Sequence, residues 1–485
     1  MKLTYNLLLL FIWMCSTVTA QRMTIQEYTE QFAKKKVFKN AFISACAQEV
    51  KSGLKVLDHN ADKVLIPASS LKVITTLASL DILGEDYYYE TKVAYSGDID
   101  EEGTLQGDLY IMGSGDPTLG SNKFKGAVPF KTLLRDISAS VRDAGIFCIA
   151  GDVVGDESVF NSYPINPTWQ WNDLGNYYAA GAWGINILDN EYRIYYAQQL
   201  KEGRVPRLIS YNPYIPGLEL QSEVKTGPKG SGDNAYIFGG PYNYTKRIVG
   251  TIPPGKKQFV IKGSIPDPPL FLAYSLFNEL SAKGVQAKNY RTTFKKERGY
   301  AKRKVVYQVK SPPLKEIIKK TNFESNNLYC ETILKTIGSK EMELGSGAAG
   351  INSIRKILRR RGLNLSGMQI EDGSGLSARN KVSSRFITDF LNSIANEISL
   401  KTATTYLPMG GYQGTVKGFF KKSRAKGNIW AKSGSMNGVL SYSGYVKSKS
   451  GKWLSFSIIA NGHSESNRKV RPYMEQFMIK LYELY

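Results

Sequence analysis

The feature that most constrains this chain is the run Pro67-Ala68-Ser69-Ser70-Leu71-Lys72 and the segment it opens. Leu71, Val73, Ile74, Leu77, Leu80 and Leu83 recur at helical spacing, and Gly84 closes the segment. The spacing predicts an amphipathic helix of about four turns with Ser69 at its start. Residues i and i+3 share a helix face, so the Ser69 hydroxyl and the Lys72 amine are expected to be neighbours. A serine hydroxyl is a weak nucleophile until a base takes its proton. A lysine one turn away is such a base once its pKa is lowered. The pair alone is a weak signal. Ser52 with Lys55, Ser353 with Lys356 and Ser466 with Lys469 repeat the spacing, and such pairs are usually a cap beside a solvated amine.

Composition bounds the setting. The chain has 485 residues, too many for one small core, so two or three domains are expected. Lys2 precedes the apolar run Leu7 to Met14, and Val18-Thr19-Ala20 leads to Gln21. That layout predicts a secretory signal over residues 1–20, cleaved near Ala20–Gln21, and an exported, periplasmic protein; an uncleaved anchor is the alternative. Cleavage would remove Cys15, and the remaining Cys46, Cys148 and Cys330 are too few and odd in number for a disulfide framework; whether one bridge forms is left open. His59 and His463 are the only histidines, which disfavours a histidine metal site and a Ser-His-Asp triad alike. The formal charge is +22, with basic runs at Lys295-Lys296-Glu297-Arg298, Lys302-Arg303-Lys304, Arg359-Arg360-Arg361 and Lys421-Lys422-Ser423-Arg424. Nucleic acid is the usual partner of such a surface. An exported chain meets anionic wall polymer and lipid head groups first, so peripheral wall or membrane association is expected, with plain solubility as its rival.

Along the chain, strand-like and turn-like stretches alternate from Phe42 to Leu65. Residues 93–151 are rich in turns and β-formers, 160–190 in aromatic and polar residues, and 211–244 in Gly, Pro and Asn. Helical periodicity returns at Leu328-Ile333-Leu334-Ile337, Ile351-Ile354-Ile357-Leu358 and Phe386-Phe390-Leu391-Ile394. Strand-like stretches follow at 427–432, 439–446 and 453–461, then a final helix. The economical layout joins 21–85 to 310–485 as one domain and makes 86–309 an insertion.

Two later elements give the first pair its meaning. Ser325-Asn326-Asn327 opens a helix after Phe323-Glu324, and Lys432-Ser433-Gly434 lies on a strand after Ile429-Trp430-Ala431. Ser-x-x-Lys, Ser-x-Asn and Lys-Thr/Ser-Gly, in that order and on those elements, are the set of penicillin-recognising serine acyl-transferases. Pro67 to Thr75, Gly115-Asp116-Pro117-Thr118-Leu119, Asp372-Gly373-Ser374-Gly375-Leu376-Ser377 and Leu407-Pro408-Met409-Gly410-Gly411 resemble stretches of one family. It is the D-alanyl-D-alanine carboxypeptidase/endopeptidase family typified by penicillin-binding protein 4, serine peptidase family S13. The gap of about 250 residues between the first and second motifs fits the large insertion of that family. Ser433 stands where threonine is usual, which keeps the hydroxyl.

The resemblance implies an α/β (α+β) transpeptidase domain of the penicillin-binding-protein/β-lactamase type, its sheet flanked by helices, with a large, mostly β insertion. It implies a serine-type D-Ala-D-Ala carboxypeptidase and D,D-endopeptidase acting on peptidoglycan stem peptides, covalently inhibited by β-lactams, without cofactor or metal. Ser69 would be the nucleophile, Lys72 its base, Ser325 a proton relay, and Asn327 a holder of Lys72 and substrate. Lys432 and Ser433, with Gly434 beside them, would take the terminal carboxylate, and the N–H groups of Ser69 and Ser435 the oxyanion. Asp173 and Tyr178, five residues apart in an aromatic stretch, would contact the free amine of the diamino acid. Arg379 and Met436 look similar to two more substrate-side positions. A β-lactamase or esterase on the same scaffold, and a non-catalytic peptidoglycan-binding protein, are the rival readings.

Overall fold

The computed structural model describes residues 23–293, 302–341 and 345–485. The predicted leader and the run Lys295-Lys296-Glu297-Arg298 lie outside them. Both ends of the chain build one five-stranded antiparallel sheet. Its order is Ile429–Met436, Val439–Lys447, Trp453–Asn461, Phe42–Glu49, Lys55–His59. The central strands do not alternate in burial: Val439–Val446 and Leu454–Ala460 are buried throughout. Continuous burial means that both faces are covered. On one face, Phe32, Val470, Met474 and Phe477 of helices Ile25–Ala33 and Asn467–Leu484 pack against Phe456 and Ile458. On the other, Ile74, Leu77, Ile333, Leu334, Phe390 and Leu391 join Ile459 in a helical core.

A third core draws its buried side chains from Val93 to Val309. Its main sheet has six strands, with Cys148–Asp156 parallel to both Leu109–Met112 and Gln286–Thr292. Two smaller sheets, of three and four strands, fill residues 191–264. Two helices stand here that sequence reading passed over. Phe130–Asp143 buries Leu133, Leu134, Ile137 and Val141, a stripe at helical spacing. Pro268–Ala282 starts on two prolines, with Asp267 capping the Leu270 N–H at 2.9 Å. This third core and the helical core beneath the five-stranded sheet are joined by polar contacts from residues 161–189 to helix Asn327–Glu341 and the loop at 371–377, beside the site.

The basic runs are not one surface. Arg303 pairs with Asp156 at 2.5 Å and lies 3.8 Å from the centre of the Tyr110 ring, mostly buried. Arg361 pairs with Asp81 and Glu397. Arg359, Arg360, Lys421, Lys422 and Arg424 face solvent.

Candidate active site

Pro67 leads into Ala68, whose φ of 46° is left-handed, and a 3-10 turn over Ala68–Leu71 follows. The α-helix proper is Lys72–Leu83, and Gly84, φ 83°, ends it. This helix is not amphipathic. Every residue from Lys72 to Ser79 is buried, because helices Leu314–Glu324, Asn327–Glu341 and Ser384–Glu397 enclose it beneath the sheet. Its polar side chains are therefore hydrogen-bonded inside the core, as buried polar groups must be. Thr75 Oγ1 donates to the Gly373 carbonyl at 2.9 Å, and Thr76 Oγ1 to the Lys72 carbonyl at 2.7 Å.

Two glycines allow backbone to press on the turn. A Cβ at Gly434 would lie 2.3 Å from the Pro67 carbonyl oxygen and 2.7 Å from Ser70 N. A Cβ at Gly375, whose φ is +78°, would lie 2.0 Å from the Ala68 oxygen. The third motif and the Asp372–Ser377 loop thus flank Ser69 from two sides.

Lys72 is fully buried, and its Nζ meets three oxygens. Ser374 O and Asn327 Oδ1 each lie at 2.6 Å, and Ser69 Oγ at 3.0 Å. The two carbonyl oxygens can only accept, so each holds one N–H. The remaining tetrahedral position points at Ser69, where a neutral amine would carry its lone pair. Burial pushes the Lys72 pKa below the usual lysine range, opposed by Cys330, Asp372 and Glu331.

Ser325 does not open a helix. It is the left-handed cap, φ 59°, that closes Leu314–Glu324 before Asn327–Glu341 begins. A non-glycine residue there costs roughly 1–2 kcal/mol, and strain of this kind persists where the surroundings fix it. Here Lys432 does so: its Nζ donates to Ser325 Oγ at 2.9 Å and to Ser433 O at 2.7 Å. Burial lowers the Lys432 pKa well below normal, and the Lys72 charge adds to this. Between the two amines lie the Ser69 and Ser325 hydroxyls.

Several positioning groups escaped sequence reading. Glu331, one turn after Asn327 on the same helix face, accepts the Gly373 N–H at 3.0 Å and the Ser374 N–H at 2.7 Å. It thereby sets the Ser374 carbonyl against Lys72. Asp372 ties the rest of the loop, accepting from Gly375 N and Asn380 Nδ2 at 2.8 Å and from Ser377 N and Trp169 Nε1 at 2.7 Å. The Asn327–Glu331 spacing in an apolar helix was the available signal. The Ser374 carbonyl has none, since any residue supplies one.

The remaining candidates divide. Ser433 Oγ donates to Thr415 Oγ1 at 2.7 Å, in the segment after Leu407-Pro408-Met409-Gly410-Gly411. Ser435 Oγ and the Met436 carbonyl each accept from Asn467 Nδ2 at 2.8 Å, which fixes the strand end. Tyr178 OH donates to Asp173 Oδ1 at 3.0 Å, and the Tyr178 carbonyl accepts from Asn327 Nδ2 at 2.8 Å. The aromatic stretch is therefore docked on the second motif. Burial raises the Asp173 pKa, and the Tyr178 bond offsets part of that. Arg379 is 71% exposed and pairs with Glu371 at 3.9 Å. Cys46, Cys148 and Cys330 are free thiols, and Cys330 donates to the Gly373 carbonyl at 3.0 Å.

The chain is similar to known proteins across nearly its whole length. It is 28% identical over 429 residues to a D-alanyl-D-alanine carboxypeptidase of Actinomadura sp., covering 86% of this chain and 77% of the relative. It is 25% identical over 453 residues to the D-alanyl-D-alanine carboxypeptidase DacB of Haemophilus influenzae, covering 90% of each. The crystal structure of penicillin binding protein 4 (dacB) from Haemophilus influenzae has the same fold. It matches with a TM-score of 0.79 at 23% identity, over 93% of this chain and 98% of that one. The description "D-Ala-D-Ala carboxypeptidase 3 (S13) family" fits residues 25–481, and the chain belongs to that family.

Proposed function

We propose that this protein removes the terminal D-alanine of peptidoglycan stem peptides, and cleaves D,D cross-links, through an acyl-enzyme on Ser69. The observation that carries the reading is the Lys72 amine, fully buried, with two N–H groups held by carbonyl oxygens and Ser69 Oγ at 3.0 Å. Neutral Lys72 takes the Ser69 proton as Oγ attacks the penultimate D-alanine carbonyl. The N–H groups of Ser69 and Ser435 meet the developing oxyanion. Ser325, bridged to Lys432, relays that proton from Lys72 to the leaving amine, which leaves Lys72 neutral again, and water then attacks the acyl ester with Lys72 as its base. Lys432 and Ser433 receive the terminal carboxylate. Asp173, braced by Tyr178, receives the side-chain ammonium of the diamino acid, with Arg379 and Met436 further along the substrate. Residues 21–85 with 310–485 form the catalytic domain, and 86–309 an insertion that supplies Asp173 and Tyr178. Export to the periplasm and association of exposed Lys421, Lys422, Arg424 and Arg359 with anionic wall polymer complete the reading.

Incubation with a labelled penicillin tests it. A long-lived adduct is expected on Ser69 and is lost in Ser69→Ala. Labelling of Ser69→Ala at the parental level removes the mechanism, and rapid turnover of the adduct would instead indicate a β-lactamase.

A further inference from the structure

The face beside Asp173 carries a feature that the reaction at Ser69 does not use. Strands Asn234–Phe238 and Thr245–Ile252 pair antiparallel, with Phe238 opposite Arg247 and Tyr236 opposite Val249. Directly opposed residues share a sheet face. Ile237, Lys246 and Ile248 are buried below, so Tyr236, Phe238, Arg247 and Val249 form the outer face. Trp171 stands over it, its ring 6.4 Å from that of Phe238, and remains 61% exposed. A cavity of about 500 Å³ opens between them, with Asn243, Thr245 and Arg247 on its rim.

This surface is continuous with the proposed ammonium subsite. Trp171 lies two residues before Asp173, and Tyr236 is an electrostatic neighbour of Tyr178. Asn176 joins the two segments by accepting the Ile237 N–H at 3.1 Å. Trp171, Tyr236 and the half-buried Phe238 make one contiguous apolar patch, and such a patch marks a binding surface. Flat rings bordered by amide, hydroxyl and guanidinium groups suit a pyranose, whose C–H face packs on the ring while its hydroxyl and acetamido groups reach the rim. Arg247 is paired with Glu223 at 2.7 Å, so the rim offers little net charge to a polyanion. An uncharged N-acetylated sugar fits better.

We propose that Trp171, Phe238 and this rim form a subsite for the glycan strand of peptidoglycan, next to the stem-peptide site. The proposal rests on the substrate reading above. Three substrates separate the two: glycan-bearing muropeptide, the same stem peptide without sugar, and labelled penicillin. Trp171→Ala is expected to raise KM for the glycan-bearing substrate roughly tenfold, the loss of one aromatic anchor. The free peptide and the Ser69 adduct stay at parental rates, which also shows that the variant is folded. Thr245→Trp, which fills the cavity, gives the same split. Parental KM on the glycan-bearing substrate in both variants overturns the proposal. Equal losses on both substrates also overturn it and assign Trp171 to the peptide. Absence of a Ser69 adduct in the parent is a different failure, that of the catalytic reading.

Discussion

Glu331 offers a test in which two physical effects pull in opposite directions. Its Oε1 accepts two backbone N–H groups, which favours the carboxylate, yet the side chain is only 7% exposed and lies beside Asp372. Burial wins, and the Glu331 pKa is pushed up from 4.5 to about 7. A carboxyl whose folded pKa exceeds its unfolded one favours folding while protonated. That contribution is complete below pH 4.5 and is lost as pH rises through about 7. The loss amounts to about 3 kcal/mol. Glu331→Gln keeps the accepting oxygen and never ionises, so it escapes the loss. Parent and variant are expected to be equally stable near pH 4, with the variant ahead by about 3 kcal/mol above pH 8. Urea unfolding followed by tryptophan fluorescence across that range measures the gap. The reasoning is refuted if the parent gains on the variant as pH rises, because the two N–H bonds would then outweigh burial. A second readout concerns the base. The Glu331 charge raises the Lys72 pKa, so the acidic limb of penicillin acylation moves to lower pH in Glu331→Gln.

Two other substitutions probe the geometry directly. Gly434→Ala places a Cβ 2.3 Å from the Pro67 oxygen, and neither Pro67 O nor Ser70 N is a flexible end. Acylation should fall about 100-fold, the cost of a shift near 1 Å, with thermal stability largely kept; parental labelling would show that the turn tolerates the methyl. Asp173→Asn should lower kcat/KM on stem peptides bearing a side-chain ammonium by about tenfold or more. Penicillin labelling, which needs no ammonium, stays unchanged, and equal activity on both peptide forms would remove Asp173 from recognition.

What the sequence disclosed was local. Ser69 and Lys72 lie within one turn, and Lys432 and Ser433 on one strand, so short-range spacing found them. Geometry that depends on distant segments was not legible. The helix from Lys72 looked amphipathic because its polar residues suggest a wet side. Glu331 and the loop at 372–375 instead turn that side into a dry, hydrogen-bonded interior. Ser325 looked like a helix start, but the left-handed turn that aims its hydroxyl at Lys432 leaves no mark on a serine. The bond from Asn327 to the Tyr178 carbonyl spans 149 residues and involves a backbone oxygen, which no side-chain pattern encodes. Helix Phe130–Asp143 was legible in its stripe of Leu133, Leu134, Ile137 and Val141, and was masked by turn-rich neighbours.

The pairing of strand Phe42–Glu49 with Trp453–Asn461 also sets a schedule. Synthesis delivers Ser69 early, yet the sheet beside it closes only when the last strand arrives, nearly four hundred residues later by chain order. Contacts of such long range slow folding. A nascent chain that has not yet made Trp453 can display Ser69 and Lys72 but cannot assemble the strand order that holds the third motif against them. Assembly of the Ser69 site thus depends on a strand that lies far along the chain from it.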